Sequence, residues 1–156
     1  MLSLCLIVLL VAGCASPESG ECVKLLRERP PRMAFKGFET IPFGQCKYRV
    51  ARYGVTNTAP APLYYHGDSL CALEDKVIGT GWVRREYYVC ISGRKLQQLK
   101  PGESTTVFAG VNPEAEAMRV CLSFYAGNDE VSFWSEDVTV PQSERAIAGK
   151  LEADCN

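Results

Sequence analysis

The sequence predicts an all-β fold, an antiparallel β-sandwich with a β-barrel as the alternative. Three observations carry that expectation. Six or seven short runs rich in β-branched and aromatic residues alternate apolar with polar side chains, turn signals separate them, and no 12-residue amphipathic helical pattern lies between them.

The strand region runs from Cys46 to Pro141. Lys47–Arg52 alternates in the manner of a half-buried strand, and from Tyr53 to Asn57 the apolar residues move to odd positions, which predicts a bulge near Ala51. Asn57-Thr58 with Pro60 and Pro62 makes a turn, and Leu63–His66 follows as a short edge strand behind a proline. Residues 67–81 read mostly as loop, on Gly67-Asp68-Ser69 and Gly79-Thr80-Gly81. Trp82-Val83 and Glu86–Ile91 supply the next strand material. Pro101-Gly102 predicts a type II turn with positive φ at the glycine, leading into the β-branched run Ser104–Ala109. Met118, Val120, Leu122 and Phe124 share one face of a strand, Asn128-Asp129 turns the chain, and Val131–Ser135 with Val138–Val140 closes the set before Pro141. On either side stand a polar tether and strap over residues 14–45, broken at Pro30-Pro31, and a tail or short helix over residues 142–156.

With 156 residues the chain makes one domain, and 47% hydrophobic against 22% charged residues excludes a disordered chain or a collagen-like repeat. A net charge of −1 excludes a strongly basic nucleic-acid binder. Residues 2–12 are apolar apart from Ser3, an 11-residue run. That is well short of the roughly 20 residues a helix needs to cross a bilayer core, so residues 1–13 are expected to be a signal peptide. Val11-Ala12-Gly13-Cys14 resembles the lipobox of bacterial lipoproteins. The resemblance implies cleavage before Cys14 and a diacylglycerol thioether on that residue. It also implies a palmitate-bearing protein held in the bacterial cell envelope, with the membrane as a partner. Ala15-Ser16-Pro17 carries no retention aspartate, which favours the outer membrane.

Beyond Cys14 remain Cys22, Cys46, Cys71, Cys90, Cys121 and Cys155, an even set in a compartment that permits disulfides. Successive separations of 24, 25, 19, 31 and 34 residues, with His66 the sole histidine, fit no zinc pattern, and neither metal nor cofactor is expected. Sequence alone does not choose among the pairings; Cys71–Cys90, Cys46–Cys121 and Cys22–Cys155 are the favoured set.

Cys46, Trp82 and Cys121 fall in the order of the inter-sheet disulfide and core tryptophan of immunoglobulin domains, although Arg119 stands where a tyrosine corner would be. The segments N-x-x-x-x-P-L-Y-Y at Asn57–Tyr65 and L-x-P-G-E-S at Leu99–Ser104, the apolar strand Val120–Phe124 and Trp134-Ser135 resemble small immunoglobulin- or fibronectin-like sandwich domains of secreted and lipid-anchored bacterial proteins. That resemblance covers residues 46–141 and implies an immunoglobulin-like architecture more than an activity.

Adjacent strand residues point to opposite faces, so each of the pairs Tyr64-Tyr65, Tyr87-Tyr88, Phe124-Tyr125 and Phe133-Trp134 should send one ring outward. Tyr64, Tyr65, Tyr87, Tyr88 and Trp134, together with Arg84 and Arg85, are therefore the candidate binding surface for an envelope protein or glycan. No catalytic residue is assigned. His66 lies five residues from Cys71, but no oxyanion site or orienting partner accompanies them. The expected function is an envelope-anchored, non-catalytic binding module, with an accessory subunit of an envelope assembly and a hydrolase as alternatives.

Overall fold

The computed structural model describes residues 19–66, 72–77, 80–86, 96–126 and 129–155. The lipobox with Cys14, and Cys71, Cys90, Tyr87 and Tyr88, lie outside them. Helix α1 (Ser19–Glu28) stops ahead of Pro30-Pro31, because a proline disfavours helical geometry in the residue before it. Val23 and Leu26, three residues apart on one helix face, turn into the core, where Leu26 is 2% exposed.

Strand β1 (Arg32–Phe43) then pairs antiparallel with β2 (Cys46–Thr56) over its whole length, from Phe43 opposite Cys46 to Arg32 opposite Thr56. Gly44 makes the tight connection at a φ of 61°, a value glycine adopts without a Cβ clash. Strand β7 (Ser104–Gly110) pairs with the other edge of β2, giving a three-stranded sheet. The reading of residues 32–43 as a strap thus gives way to a full strand of this sheet.

The bulge expected near Ala51 belongs to the partner strand. Between Phe35 and Gly37 the register of β1 slips, leaving Lys36 as the extra residue, while β2 itself runs evenly against β7. Val50 and Ala51 are both buried although adjacent residues face opposite ways, so this part of β2 is covered on both sides. Two-sided burial, rather than a bulge, moves its apolar residues from even to odd positions.

The second sheet comprises β3 (Leu63–His66), β4 (Ala72–Val77), β5 (Gly81–Glu86), β6 (Leu96–Leu99), β8 (Ala115–Ala126), β9 (Asp129–Trp134) and β10 (Val138–Thr139). Its path is β5-β4-β8-β3-β6, and β9 and β10 pair with the opposite edge of β8. Strand β4 replaces much of the loop expected over residues 67–81. Its Glu74-Asp75-Lys76 conceals a strand whose Asp75 is fully buried, with Asn112 Nδ2 donating to its carboxylate at 3.3 Å.

Ala51, Tyr53, Val55 and Ala109 from the smaller sheet meet Leu63, Met118, Val120, Leu122 and Phe124 from the larger. The molecule is thus a mainly β fold of two packed sheets with minor helix content. Among the described residues neither sheet closes into the barrel held as the alternative.

At one end of the packed sheets the two motif segments lock together. Asn57, 1% exposed, donates from Nδ2 to the carbonyls of Ala61 and Leu99, both at 2.9 Å, and accepts the Ala59 N–H at 2.9 Å. Its backbone pairs with Gly102 and Glu103. Gly102 has the φ of 76° that the Pro-Gly turn predicts, and Glu103 N–H closes that turn on Lys100 O at 2.9 Å. Gly102→Ala is expected to cost about 1–2 kcal/mol, the penalty of a Cβ in left-handed backbone, read as a lower urea midpoint with an unchanged slope.

Helix α2 (Gln142–Ala153) follows Pro141. Glu144 in its first turn and Lys150 in its last complement the helix dipole. Ala148 enters the core, Arg49 of β2 bonds to Glu144, and Cys155 just past the helix forms a disulfide with Cys46, their Cα atoms 5.6 Å apart. This pairing corrects both Cys46–Cys121 and Cys22–Cys155. An inter-sheet bridge from Cys121 would need a side chain facing the interior, but Cys121 lies between Val120 and Leu122, whose side chains occupy that face. Cys46 opens β2 beside the end of α2, within reach of the last turn.

Candidate functional site

The outer face of the larger sheet is built by strand parity. With Val120, Leu122 and Phe124 turned inward, β8 turns Ala117, Arg119, Cys121, Ser123 and Tyr125 to the other face, where Cys121 is itself buried. Residues directly opposite each other in an antiparallel pair share a face, so Trp134 and Ser132 of β9, opposite Cys121 and Ser123, join them. Trp82 and Arg84 of β5 arrive through β4, where Lys76 lies opposite both Trp82 and Ala117.

At the centre the Arg119 guanidinium lies 4.4 Å from the ring centroid of Trp82 and 5.1 Å from that of Trp134. Both separations fall within the range of a cation–π contact, in which the negative face of the indole attracts the cation. Asp137 stands 3.9 Å from Arg119, and Lys76 bonds Glu116 at 3.2 Å, so both charge signs border the rings. Trp134 keeps 40% of its surface exposed. Farther along β8, Tyr64 lies opposite Tyr125, is 36% exposed and accepts a hydrogen bond from Gln98 Nε2 at 2.9 Å.

Of the aromatic pairs, Tyr64 and Trp134 face out while Tyr65 and Phe133 turn in. Tyr65 packs 6.3 Å from Phe124, and its hydroxyl reaches Gln97 at 2.9 Å and Thr105 of the other sheet at 3.3 Å. Its ring therefore helps join the sheets rather than forming part of the outer surface. Arg84 is exposed on the same face as Trp82, and Arg85 lies opposite Leu73 in the strand register. His66 ends β3 opposite Leu96, and its suggested partner Cys71 is outside the described residues. Among the described residues no group of three or more His, Cys, Asp or Glu side chains is placed to hold a metal.

Sequence reasoning missed the central pair. Trp82, expected from the immunoglobulin resemblance to be a core tryptophan, stands on an outer face, and Arg119, at the position of the tyrosine corner, sits against both indoles. The signal for Arg119 was available, because it alternates with the apolar set Met118, Val120 and Leu122. The contact with Trp82 was not, since it requires β4 to lie between β5 and β8.

No family model and no curated protein matches the chain. Solved structures similar to it include a structural-genomics target at 7% identity, covering 74% of this chain and 90% of that one with a TM-score of 0.45. A protein from Bordetella pertussis described as ApaA has 16% identity, 70% and 93% coverage and a TM-score of 0.44. A protein from Archaeoglobus fulgidus has 13% identity, 69% and 98% coverage and a TM-score of 0.36. None of these likenesses carries an activity to this chain.

Proposed function

We propose that the chain is an envelope-anchored, non-catalytic binding module that recognises a protein partner through the outer face of its larger sheet. The observation that carries this reading is the Arg119 guanidinium held between Trp82 and Trp134. Tyr, Trp and Arg dominate the energetics of protein interfaces because each brings a large contact area together with a polar handle. Here they rise from paired strands, so little conformational freedom remains to be lost on binding. The mixed charges of Arg84, Lys76, Glu116 and Asp137 around the rings suit the polar rim of a protein interface better than an uncharged glycan.

The anchoring part of the proposal rests on Val11-Ala12-Gly13-Cys14, with Cys14 as the lipidated residue and the outer membrane of a bacterial envelope as the location. The immunoglobulin- or fibronectin-like character of the sandwich rests on the two packed sheets and on the docking of the Asn57 segment against the Leu99–Ser104 turn.

A photocrosslinking residue placed at Ser132, exposed two positions from Trp134, tests the reading in the intact envelope. The expected result is a discrete protein adduct that is absent when the crosslinker is placed at Ile147 on α2. Trp134→Ala should weaken binding of the purified partner by about 2 kcal/mol, roughly 30-fold. Equal adducts from both positions, or undiminished affinity in Trp134→Ala, would overturn the assignment of this face.

A further inference from the structure

On the opposite side of the sandwich, the outer face of the smaller sheet forms a cationic groove, and we infer that it binds the phosphate group of a small soluble ligand. The groove follows from register. Arg32, Thr56 and Ser104 stand in one row across β1, β2 and β7, and Ala34, Gly54 and Thr106 stand in the next. The small residues of the second row make its floor, and the groove, open to solvent along one side, has a volume of about 520 Å³.

Lys36 is placed by the irregularity in β1. As the extra residue between Phe35 and Gly37, it carries its side chain across the floor, with Cε 3.0 Å from where a Cβ on Gly54 would stand. Arg52, one step along β2, adds a third cation. No carboxylate lines the groove; Glu39, outside it, forms an ion pair with Arg52 at 3.5 Å, with both side chains substantially exposed, so Arg32 and Lys36 are the principal cations. Three cations gathered on one concavity of a chain whose net charge is −1 are a local arrangement, not a consequence of general basicity.

The chemistry of the walls selects the ligand. Guanidinium groups offer forked donors that match two oxygens of a phosphate, and an ammonium adds a mobile point charge. Thr56 Oγ1 and Ser104 Oγ, 2.8 Å apart, add hydroxyls that can donate to a phosphate oxygen or pair with a hydroxylated body. The volume falls within the roughly 300–1,000 Å³ of small-molecule sites, which leaves room for an organic group beside the phosphate. The lining itself holds no aromatic ring, while the exposed Phe108, opposite Arg52, borders the groove, so what the walls specify is the phosphate rather than the organic group attached to it. The groups stand on hydrogen-bonded strands, which fixes the backbone positions from which they extend before the ligand arrives.

Isothermal titration of the full chain with glucose 6-phosphate, inorganic phosphate and glucose tests the inference, with phosphatidylglycerol vesicles as a separate arm. Both phosphates should bind, glucose should not, and affinity should fall with salt. Arg32→Ala and Lys36→Ala should each weaken binding at least tenfold, with thermal melts confirming the fold. Phosphate binding that survives both substitutions would overturn the site. Absence of binding by either soluble phosphate would do the same, and association with the vesicles alone would assign the groove to a membrane surface instead.

Discussion

Cys155→Ser is expected to lower the unfolding free energy by roughly 4–5 kcal/mol. The Cys46–Cys155 bond joins residues 109 positions apart. In the chain-entropy model a loop of about 100 residues, once closed, removes about 4.7 kcal/mol of freedom from the unfolded state. Its folded-state role is equally direct, since it ties the end of α2 to the start of β2, where Arg49 bonds to Glu144. Denaturant unfolding of the parent and variant gives the difference, and non-reduced peptide mapping of the parent should yield one fragment holding both Cys46 and Cys155. A loss under about 1 kcal/mol, or a map joining either cysteine to another partner, would contradict the assignment.

Asn57→Ala should cost about 3 kcal/mol or more. The change removes two donated hydrogen bonds and one accepted bond, all at 2.9 Å, and strands the Leu99 and Ala61 carbonyls and the Ala59 N–H. An orphaned buried polar group costs about 1–3 kcal/mol, so even partial rehydration of the outer positions leaves a large deficit. Asn57→Asp discriminates between shape and donation: it keeps the volume and the acceptor for Ala59 but offers no N–H to the two carbonyls. Chemical denaturation of both variants should therefore show Asp destabilised nearly as much as Ala. If Asp retains parental stability, the amide donors are not what holds these segments together.

Much of the larger sheet could be read residue by residue. Met118, Val120, Leu122 and Phe124 alternate because one side of β8 is buried and the other is not, and the same parity puts Trp134 outside and Phe133 inside. Pro101-Gly102 determines its own turn, because only glycine adopts the required φ of 76° without strain. Strand β4 was hidden by Glu74-Asp75-Lys76, because its place next to β8 depends on pairing and on Asn112 reaching the buried Asp75, neither of which is local. Strand β1 was hidden for a related reason: Phe35, Lys36 and Gly37 break its alternation at the point where the extra residue enters.

By itself, then, the sequence determined a mainly β domain, the face of β8 that is buried, the turn at Gly102 and the rule that each described aromatic pair sends one ring outward, because each depends only on backbone sterics and the two-residue period of a strand; which ring of Tyr64-Tyr65 faces out was left to the structure. Tertiary structure decided what required distant segments to meet. Cys155 reaches Cys46 because α2 folds back along β2, and Arg119 enters the space between Trp82 and Trp134 because β4 separates β5 from β8. Arg32, Lys36 and Arg52 share a groove because β1 and β2 pair with one residue to spare. Strand order and register are set by the summed burial of both sheets, a property no local window of residues contains.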